Sequence, residues 1–223
     1  MVHLENFKPM LVSERTQGLH QPGWIYELKY EGYRVTAAFG GGSAVQLRTR
    51  NGANATRWFP EISESLAAID GSLCITDGEV CVLDEEGRSD FDALQERARH
   101  RCWTLGAKPV DYCVFDLLVD HGVDITAEPL MLRKEALGRL FREPPWGILV
   151  VPYADKPGAQ LFKQAARWPG QEFIAKRRSS IYLPGMRTTD WVKIERKPPK
   201  DEGRADRATA GPSPPARRVR PSS

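Results

Sequence analysis

The 223-residue sequence has few of the residues that build disulfide frameworks or zinc sites. Its four cysteines (Cys74, Cys81, Cys102 and Cys113) show no short paired spacing, and its four histidines are scattered along the chain. No apolar run approaches the ~18 residues that a membrane-spanning helix needs, and the N-terminus lacks the basic-then-apolar pattern of a secretory signal. These absences predict reduced thiols and a cytoplasmic protein, and they argue against a zinc site, an exported protein and a membrane protein.

The net charge of +3 is small and unevenly distributed. Residues 196–223 hold eight basic and three acidic side chains, whereas the rest of the chain holds 24 basic and 26 acidic ones. This C-terminal stretch also contains six prolines and no apolar periodicity. Burial of its side chains could therefore not offset the conformational entropy that the segment would lose on folding. The sequence therefore predicts a folded domain over residues 1–196 and a disordered, basic, proline-rich tail over residues 197–223.

Short β-type runs recur before the tail, and helical patterns fall between some of them. The β-type runs are 24–29, 33–39, 44–48, 75–83, 112–119, 148–153, 173–177 and 191–195. The helical patterns are 59–69, 91–99 (with Ser89 as its capping candidate), 132–142 and 159–167. Tight turns such as Glu31-Gly32 favour antiparallel hairpins over regular βαβ alternation, so the predicted fold class is α+β, with antiparallel sheets and flanking helices.

Charged side chains interrupt several of these apolar runs. Lys29 ends one run, Asp77 and Glu79 lie inside another, and Lys176 and Lys193 lie on the last two. Charged groups in buried strands are costly unless they are paired or functional. Lysines and carboxylates that converge from several strands are typical of a site for a polyanion and its metal.

In order and spacing, these segments resemble the nucleotidyltransferase motifs of ATP-dependent DNA ligases, above all the ligase domain of bacterial end-joining ligase D. The resemblance runs from Phe7 to Lys193 and includes the stretch 82–91 between motifs, which makes RNA ligases and capping guanylyltransferases a poorer match. It implies the ligase adenylation fold, formation of a covalent lysyl-AMP, and transfer of AMP to a DNA 5′-phosphate for strand joining in DNA repair. The segments that carry it are 27–34, 48–52, 76–80, 112–118, 175–178 and 189–195.

The resemblance implies nucleotide-binding roles for five residues. Lys29 resembles the nucleophile that becomes bonded to AMP. Glu27 resembles the acid that fixes the adenine, and Phe115 resembles the ring that stacks on it. Arg34 resembles the arginine after the nucleophile loop, and Arg50 the arginine that contacts the nucleotide sugar. Attack on the α-phosphorus requires a neutral amine, so neighbouring cations are expected to lower the pKa of Lys29.

Further residues are implied around the triphosphate and its metal. Lys176 and Lys193 resemble lysines that face the triphosphate, and Glu79 resembles a carboxylate near the ribose and the metal. The second metal carboxylate that the resemblance implies is Glu172, which takes this role only if the alignment includes a one-residue deletion. Counting back from Lys176 without a gap places Gln171 there, whereas a one-residue deletion places Glu172 there. The implied cofactors are ATP and Mg²⁺ or Mn²⁺.

Three further departures leave a second hypothesis open. Glu31 stands where the family usually has Asp, Glu195 stands where it usually has a second lysine, and the chain ends 30 residues after Lys193, too soon for the family's five-stranded OB domain. The alternative is therefore a catalytically impaired ligase-like module that binds nucleotide or DNA ends. The expected partner is DNA with nicks or ends, near the nucleoid, together with either bacterial end-joining proteins or a separate OB-containing polypeptide. No membrane partner is expected, and the sequence leaves the oligomeric state open.

Overall fold

The computed structural model describes residues 3–14, 22–155 and 171–195, apart from the side chain of Glu195. The helix predicted over 159–167 and the tail predicted over 197–223 lie outside these residues. Within them the strands are β1 (Leu11–Glu14), β2 (Trp24–Leu28), β3 (Tyr33–Phe39), β4 (Gln46–Thr49), β5 (Cys74–Cys81), β6 (Asp111–Asp120), β7 (Val123–Asp124), β8 (Ile148–Val150), β9 (Tyr153–Ala154), β10 (Glu172–Arg177) and β11 (Arg187–Glu195). The α-helices are α1 (Pro60–Ala67), α2 (Phe91–Arg99) and α3 (Leu130–Leu140), and Leu4–Asn6 forms a 3-10 turn.

The strands form two sheets. The first has the order β1-β11-β10-β2-β9, and the second has the order β4-β3-β5-β6-β7 with β8 beside β6. Most pairs are antiparallel, whereas β1 runs parallel to β11 and β8 runs parallel to β6. The structure therefore confirms the α+β fold class with antiparallel sheets.

The first sheet separates an apolar face from a polar one because side chains alternate along each strand. Its apolar face buries Tyr26, Leu28, Phe173, Ala175, Val192 and Ile194 in one cluster. The cross-strand partners Glu27–Ile174 and Lys176–Trp191 belong to the opposite face. Lys193 of β11 pairs with Ile174 on this same face, so alternation brings charged residues of three strands to one side of the sheet.

The second sheet is covered by the helices on one side and by the first sheet on the other. Ile62 and Leu66 of α1, Leu94 of α2 and Leu137 of α3 pack in its larger core. On the other side, Phe115 of β6 packs in a cluster that also contains Trp191 of the first sheet. The functional residues on the two sheets consequently face each other.

Helix α2 begins differently from the sequence-based expectation. Its N-cap is Asp90, whose carboxylate accepts a 2.9 Å hydrogen bond from the backbone N–H of Ala93. The prediction of Ser89 was wrong because the N-cap residue directly precedes the first helical residue, which is Phe91. The Ser89 hydroxyl instead accepts a 3.0 Å hydrogen bond from the backbone N–H of Glu31.

Candidate active site

A cleft of about 370 Å³ lies between the two sheets. Its lining includes every residue that the sequence analysis assigned to nucleophile and nucleotide-binding roles: Glu27, Lys29, Arg34, Arg50, Glu79, Phe115, Lys176 and Lys193. These residues are separated by up to 166 positions in the sequence, from Glu27 to Lys193. The tertiary structure thus assembles one site from all of the implied segments.

A carboxylate bridges two lysines at the end of the first sheet. Glu172 Oε2 lies 2.5 Å from Lys29 Nζ, and Glu172 Oε1 lies 2.5 Å from Lys193 Nζ. Glu31 Oε1 lies 3.1 Å from Lys29 Nζ as well. The ammonium of Lys29 therefore has two carboxylate partners.

These contacts shift the pKa values of Lys29 and Glu172 in opposite directions. Partial burial disfavours the Lys29 ammonium, but the hydrogen bonds and charges of Glu172 and Glu31 outweigh it and raise the pKa of Lys29. Burial likewise opposes the Glu172 carboxylate, yet Lys193 and Lys29 hold the pKa of Glu172 below its usual value. Acids rather than cations are therefore the nearest partners of Lys29, and they shift its pKa in the direction opposite to the one expected from Arg34 and Lys193.

The structure distinguishes the two candidate positions at the start of β10. The side chain of Gln171 lies along the backbone, where its Nε2 donates 3.0 Å hydrogen bonds to the carbonyl oxygens of Lys29 and Glu172. Phe173 is fully buried in the core, so Glu172 and Ile174 occupy the opposite, cleft-facing side of β10. Of the two candidates, Glu172 is the one whose side chain contacts the lysines.

The turn that follows Lys29 passes very close to β5. A Cβ atom on Gly32 would lie 2.1 Å from the carbonyl oxygen of Val80, so any other residue would force the backbones apart. This approach places Arg34 opposite Glu79 in the β3–β5 pairing. Glycine at position 32 thus brings the nucleophile loop and the cleft carboxylate together.

A buried ion triad lies deeper in the cleft. Glu27 is paired through Oε2 with Lys176 Nζ at 2.8 Å and through Oε1 with Lys134 Nζ of α3. The Lys176 ammonium also lies 4.2 Å from the ring centroid of Phe115 and 4.0 Å from that of Trp191. Sequence analysis did not assign a role to Lys134, because its partner lies 107 positions away in the chain.

Burial has a strong effect on Lys176. It lowers the pKa of Lys176 to about 8, with the charge of Glu27 acting in the opposite direction and that of Lys134 reinforcing the decrease. The ammonium of Lys176 is thus easier to deprotonate than an ordinary lysine.

Arg34 is held by a carboxylate beneath the cleft. Its Nε and Nη2 donate to the two oxygens of Asp77 at 2.6 and 2.7 Å, and the Tyr182 hydroxyl donates to Asp77 at 2.6 Å. The Arg34 guanidinium also lies 4.4 Å from the Phe115 ring centroid. The bidentate contact fixes the plane of the guanidinium. Asp77 therefore positions Arg34 in the cleft lining, and Tyr182 in turn holds Asp77.

Phe115 enters the cleft because of a β-bulge. Asp77 pairs with Asp116 while the next residue, Gly78, pairs with Val114, so Phe115 is the extra residue on β6. A bulge changes the direction of the side chain that it carries. The bulge therefore directs the Phe115 ring toward Trp191, with which it packs edge to face in the same hydrophobic cluster.

Glu79 supplies a second carboxylate to the cleft. Burial raises the pKa of Glu79 to about 7, while the Arg34 charge lowers it and the Asp77 charge raises it. Glu79 and Glu172 are hard oxygen donors of the kind that Mg²⁺ and Mn²⁺ prefer. The donor set of the cleft thus fits a divalent metal at a polyphosphate.

Two arginines complete the cleft lining. The backbone N–H of Arg50 donates a 2.9 Å hydrogen bond to the carbonyl oxygen of Arg34, which fixes the segment after β4 beside β3. Arg187, at the start of β11, donates through Nη1 to the carbonyl oxygen of Val12. The sequence analysis did not identify Arg187 as a cleft-lining residue, because it lies two positions before the segment 189–195.

The sequence-family model described as the ATP dependent DNA ligase domain matches residues 7–195 of this chain. The chain belongs to the ATP-dependent DNA ligase domain family. Among its relatives, the bifunctional non-homologous end joining protein LigD of Bacillus subtilis (strain 168) is 30% identical over 214 residues, covering 84% of this chain and 33% of that protein. The multifunctional non-homologous end joining protein LigD of Mycobacterium bovis is 32% identical over 190 residues, covering 85% of this chain and 24% of that protein. This ligase domain thus spans a third or less of these relatives.

The fold agrees with this family. A solved structure of mycobacterial DNA ligase D complexed with ATP and MES matches the ligase domain with a TM-score of 0.71 at 33% identity, covering 87% of this chain and 62% of that one. Within the described residues, no helix is long and apolar enough to cross a membrane.

Proposed function

We propose that this ligase domain catalyses adenylation with Lys29 as the nucleophile, and that the AMP passes to a DNA 5′-phosphate in end joining. The observation that carries this proposal is the cleft itself, which gathers Lys29, Glu27, Arg34 and the other residues implied for nucleophile and nucleotide-binding roles around one volume of about 370 Å³. Relatives that carry the same domain are end-joining proteins. DNA with nicks or ends is therefore the proposed substrate, in the cytoplasm near the nucleoid.

The proposed chemistry is an in-line displacement on ATP. Neutral Lys29 Nζ attacks the α-phosphorus, the N–P bond forms, and the bond to the bridging oxygen breaks as pyrophosphate leaves. Glu27 accepts a hydrogen bond from the adenine amino group, and Phe115 provides the face on which the ring stacks. Arg34, Lys176 and Arg50 provide positive charge around the transferring phosphate, where charge develops in the transition state.

The Glu172 carboxylate controls the protonation of Lys29 in this proposal. Its present contact keeps Lys29 charged, so a displacement of Glu172 from Lys29 removes the largest favourable contact of the ammonium. Together with Glu79, Glu172 would hold Mg²⁺ or Mn²⁺, and the metal would neutralise part of the charge on the phosphates. The Lys29 proton can then leave to solvent, since its side chain is 30% exposed.

A second candidate function is nucleotide or DNA-end binding without catalysis. The observation that favours it is the Lys29 ammonium, which has Glu172 at 2.5 Å and Glu31 at 3.1 Å and a raised pKa. A charged amine does not attack phosphorus. If ATP binding leaves these contacts intact, the domain binds nucleotide but does not adenylate.

Labelling with α-³²P-ATP and Mg²⁺ distinguishes the two functions. The full chain should acquire acid-labile label that pyrophosphate reverses, and Lys29→Arg should acquire none, because a guanidinium stays protonated and is a poor nucleophile. Lys108→Arg is the matched control on an exposed lysine and should label like the wild type. Label retained in Lys29→Arg would remove Lys29 from the nucleophile role. ATP binding without label in the wild type would support the binding function.

A further inference from the structure

Three metal-binding side chains meet at the end of the second sheet. Cys74 begins β5, Asp120 ends β6, and His121 follows in the turn to β7. One ligand atom from each residue lies within 4.8 Å of the other two. A thiol, an imidazole and a carboxylate from two separate parts of the chain are thus brought together.

The backbone conformation of the turn that carries His121 is fixed by strand pairing and by a hydrogen bond. Asp120 pairs with Val123, so His121 and Gly122 form a two-residue hairpin loop with φ values of 48° and 86°. Positive φ at both positions is the requirement of a type I′ turn. The backbone N–H of Gly122 also donates a 2.7 Å hydrogen bond to the carbonyl oxygen of Leu73, which ties the turn to the residue before Cys74.

The imidazole of His121 lies beside the Asp120 carboxylate, and the buried Cys74 side chain lies next to both of them. His121 Nε2 faces Asp120 Oδ1 at 3.8 Å, while the other Asp120 oxygen lies 3.9 Å from Arg139. A Cβ atom on Gly71 would lie 3.2 Å from the His121 ring, so glycine there leaves room for the imidazole.

We propose that Cys74 Sγ, His121 Nε2 and Asp120 Oδ1 form a binding site for a first-row transition metal ion of the Zn²⁺ class. Thiolate, imidazole and carboxylate are the ligands that Zn²⁺ takes in proteins, with bond lengths of roughly 2.0–2.3 Å. Ligand atoms within 4.8 Å of one another need only small shifts to surround one such ion. The exposed His121 leaves a fourth coordination position open to water.

This site is distinct from the ligase cleft. Cys74 and Glu79 are five residues apart on β5, which corresponds to about 16 Å along a strand. A metal here would join β5 to the β6–β7 turn and stabilise the sheet that carries Glu79 and Phe115.

Cobalt spectroscopy tests the site directly. Co²⁺ added to the reduced full chain should produce a thiolate-to-cobalt charge-transfer band at one equivalent, and Zn²⁺ should abolish it. His121→Asn should weaken Co²⁺ affinity at least tenfold while keeping the turn, because asparagine tolerates positive φ. Asp120→Asn should weaken it as well, and Cys74→Ser should remove the band. Cys102→Ser, at an exposed cysteine, is the matched control and should change nothing.

A thermal-unfolding measurement provides a second readout. Zn²⁺ should raise the Tm of the wild type relative to EDTA, and it should not raise the Tm of His121→Asn. Absence of the charge-transfer band in the wild type would overturn the proposal. A band that survives Cys74→Ser, or that His121→Asn leaves at full affinity, would overturn it equally.

Discussion

The substitution Lys134→Met tests the buried triad beneath the cleft. Methionine keeps most of the apolar stem of lysine but removes the charge that pairs with Glu27. Both side chains are 3% exposed, so solvent does not compensate for the loss. Removal of one partner from a buried ion pair costs about 3–5 kcal/mol.

Two features of the triad place the expected loss at the lower end of that range. Glu27 keeps Lys176 at 2.8 Å, and the repulsion between the two lysines disappears. We therefore expect a loss of about 3 kcal/mol. With a urea dependence of about 2–3 kcal/mol per molar, the unfolding midpoint should fall by roughly 1 M. The KM for ATP in Lys29 labelling should rise, because only one of the two lysines that fix the Glu27 carboxylate remains.

Urea unfolding and labelling measure both effects in the same preparations. Lys108→Met is the matched control, since Lys108 pairs with Asp90 at the surface and lies outside the cleft. It should leave both the midpoint and the KM unchanged. If Lys134→Met unfolds at the wild-type urea concentration, the Lys134–Glu27 pair does not hold the triad together, and the reasoning is refuted.

Three other outcomes are expected. The pKa of Glu79 is raised to about 7, so the folded protein favours its protonated form, and the free energy of unfolding should fall as pH rises from 4.5 to about 7. Glu79→Gln should remove this fall. Equal pH profiles of the free energy of unfolding for the wild type and the variant would contradict the prediction. Asp77→Asn should cost about 3 kcal/mol in urea unfolding and slow Lys29 labelling, because Arg34 loses its bidentate partner; an unchanged rate would show that Arg34 does not act in the cleft. Truncation after Arg196 should weaken binding to a nicked duplex and flatten its salt dependence, by about 0.9 in log–log slope for each phosphate that the tail neutralises, without changing Lys29 labelling; identical slopes would exclude the tail from DNA binding.

The sequence was sufficient for the family and for most of the cleft. Motifs such as 27–34 are local, because a nucleophile, a glycine turn and an arginine must follow one another closely to be positioned by one hairpin. Gly32 shows why the spacing is strict, since its backbone approaches Val80 too closely for a side chain. The α+β class followed from short runs and tight turns for the same local reason.

The first and last residues of helices and strands were predicted less accurately where contacts with distant parts of the chain set them. The run predicted over 44–48 is a strand at Gln46–Thr49, and the helix predicted over 132–142 lies at Leu130–Leu140. Helix α3 begins beside the β10–β11 connection, where the backbone N–H of Leu130 donates to the carbonyl oxygen of Ser180 at 2.9 Å. Such long-range contacts set an element's start, and a local pattern does not contain them.

What the sequence by itself determined is which chemical groups are present and in what order, and with them the family. Only the tertiary structure decided which charges are paired. The fold brings the side chain of Glu172 to the Lys29 ammonium and that of Gln171 to the backbone, and helix packing brings Lys134 to Glu27. It also brings Cys74 beside His121, although their spacing in the sequence suggested no metal site. The physical reason is that electrostatic and coordination energies depend on distances between side chains, and for residues far apart in the chain those distances are fixed only by folding.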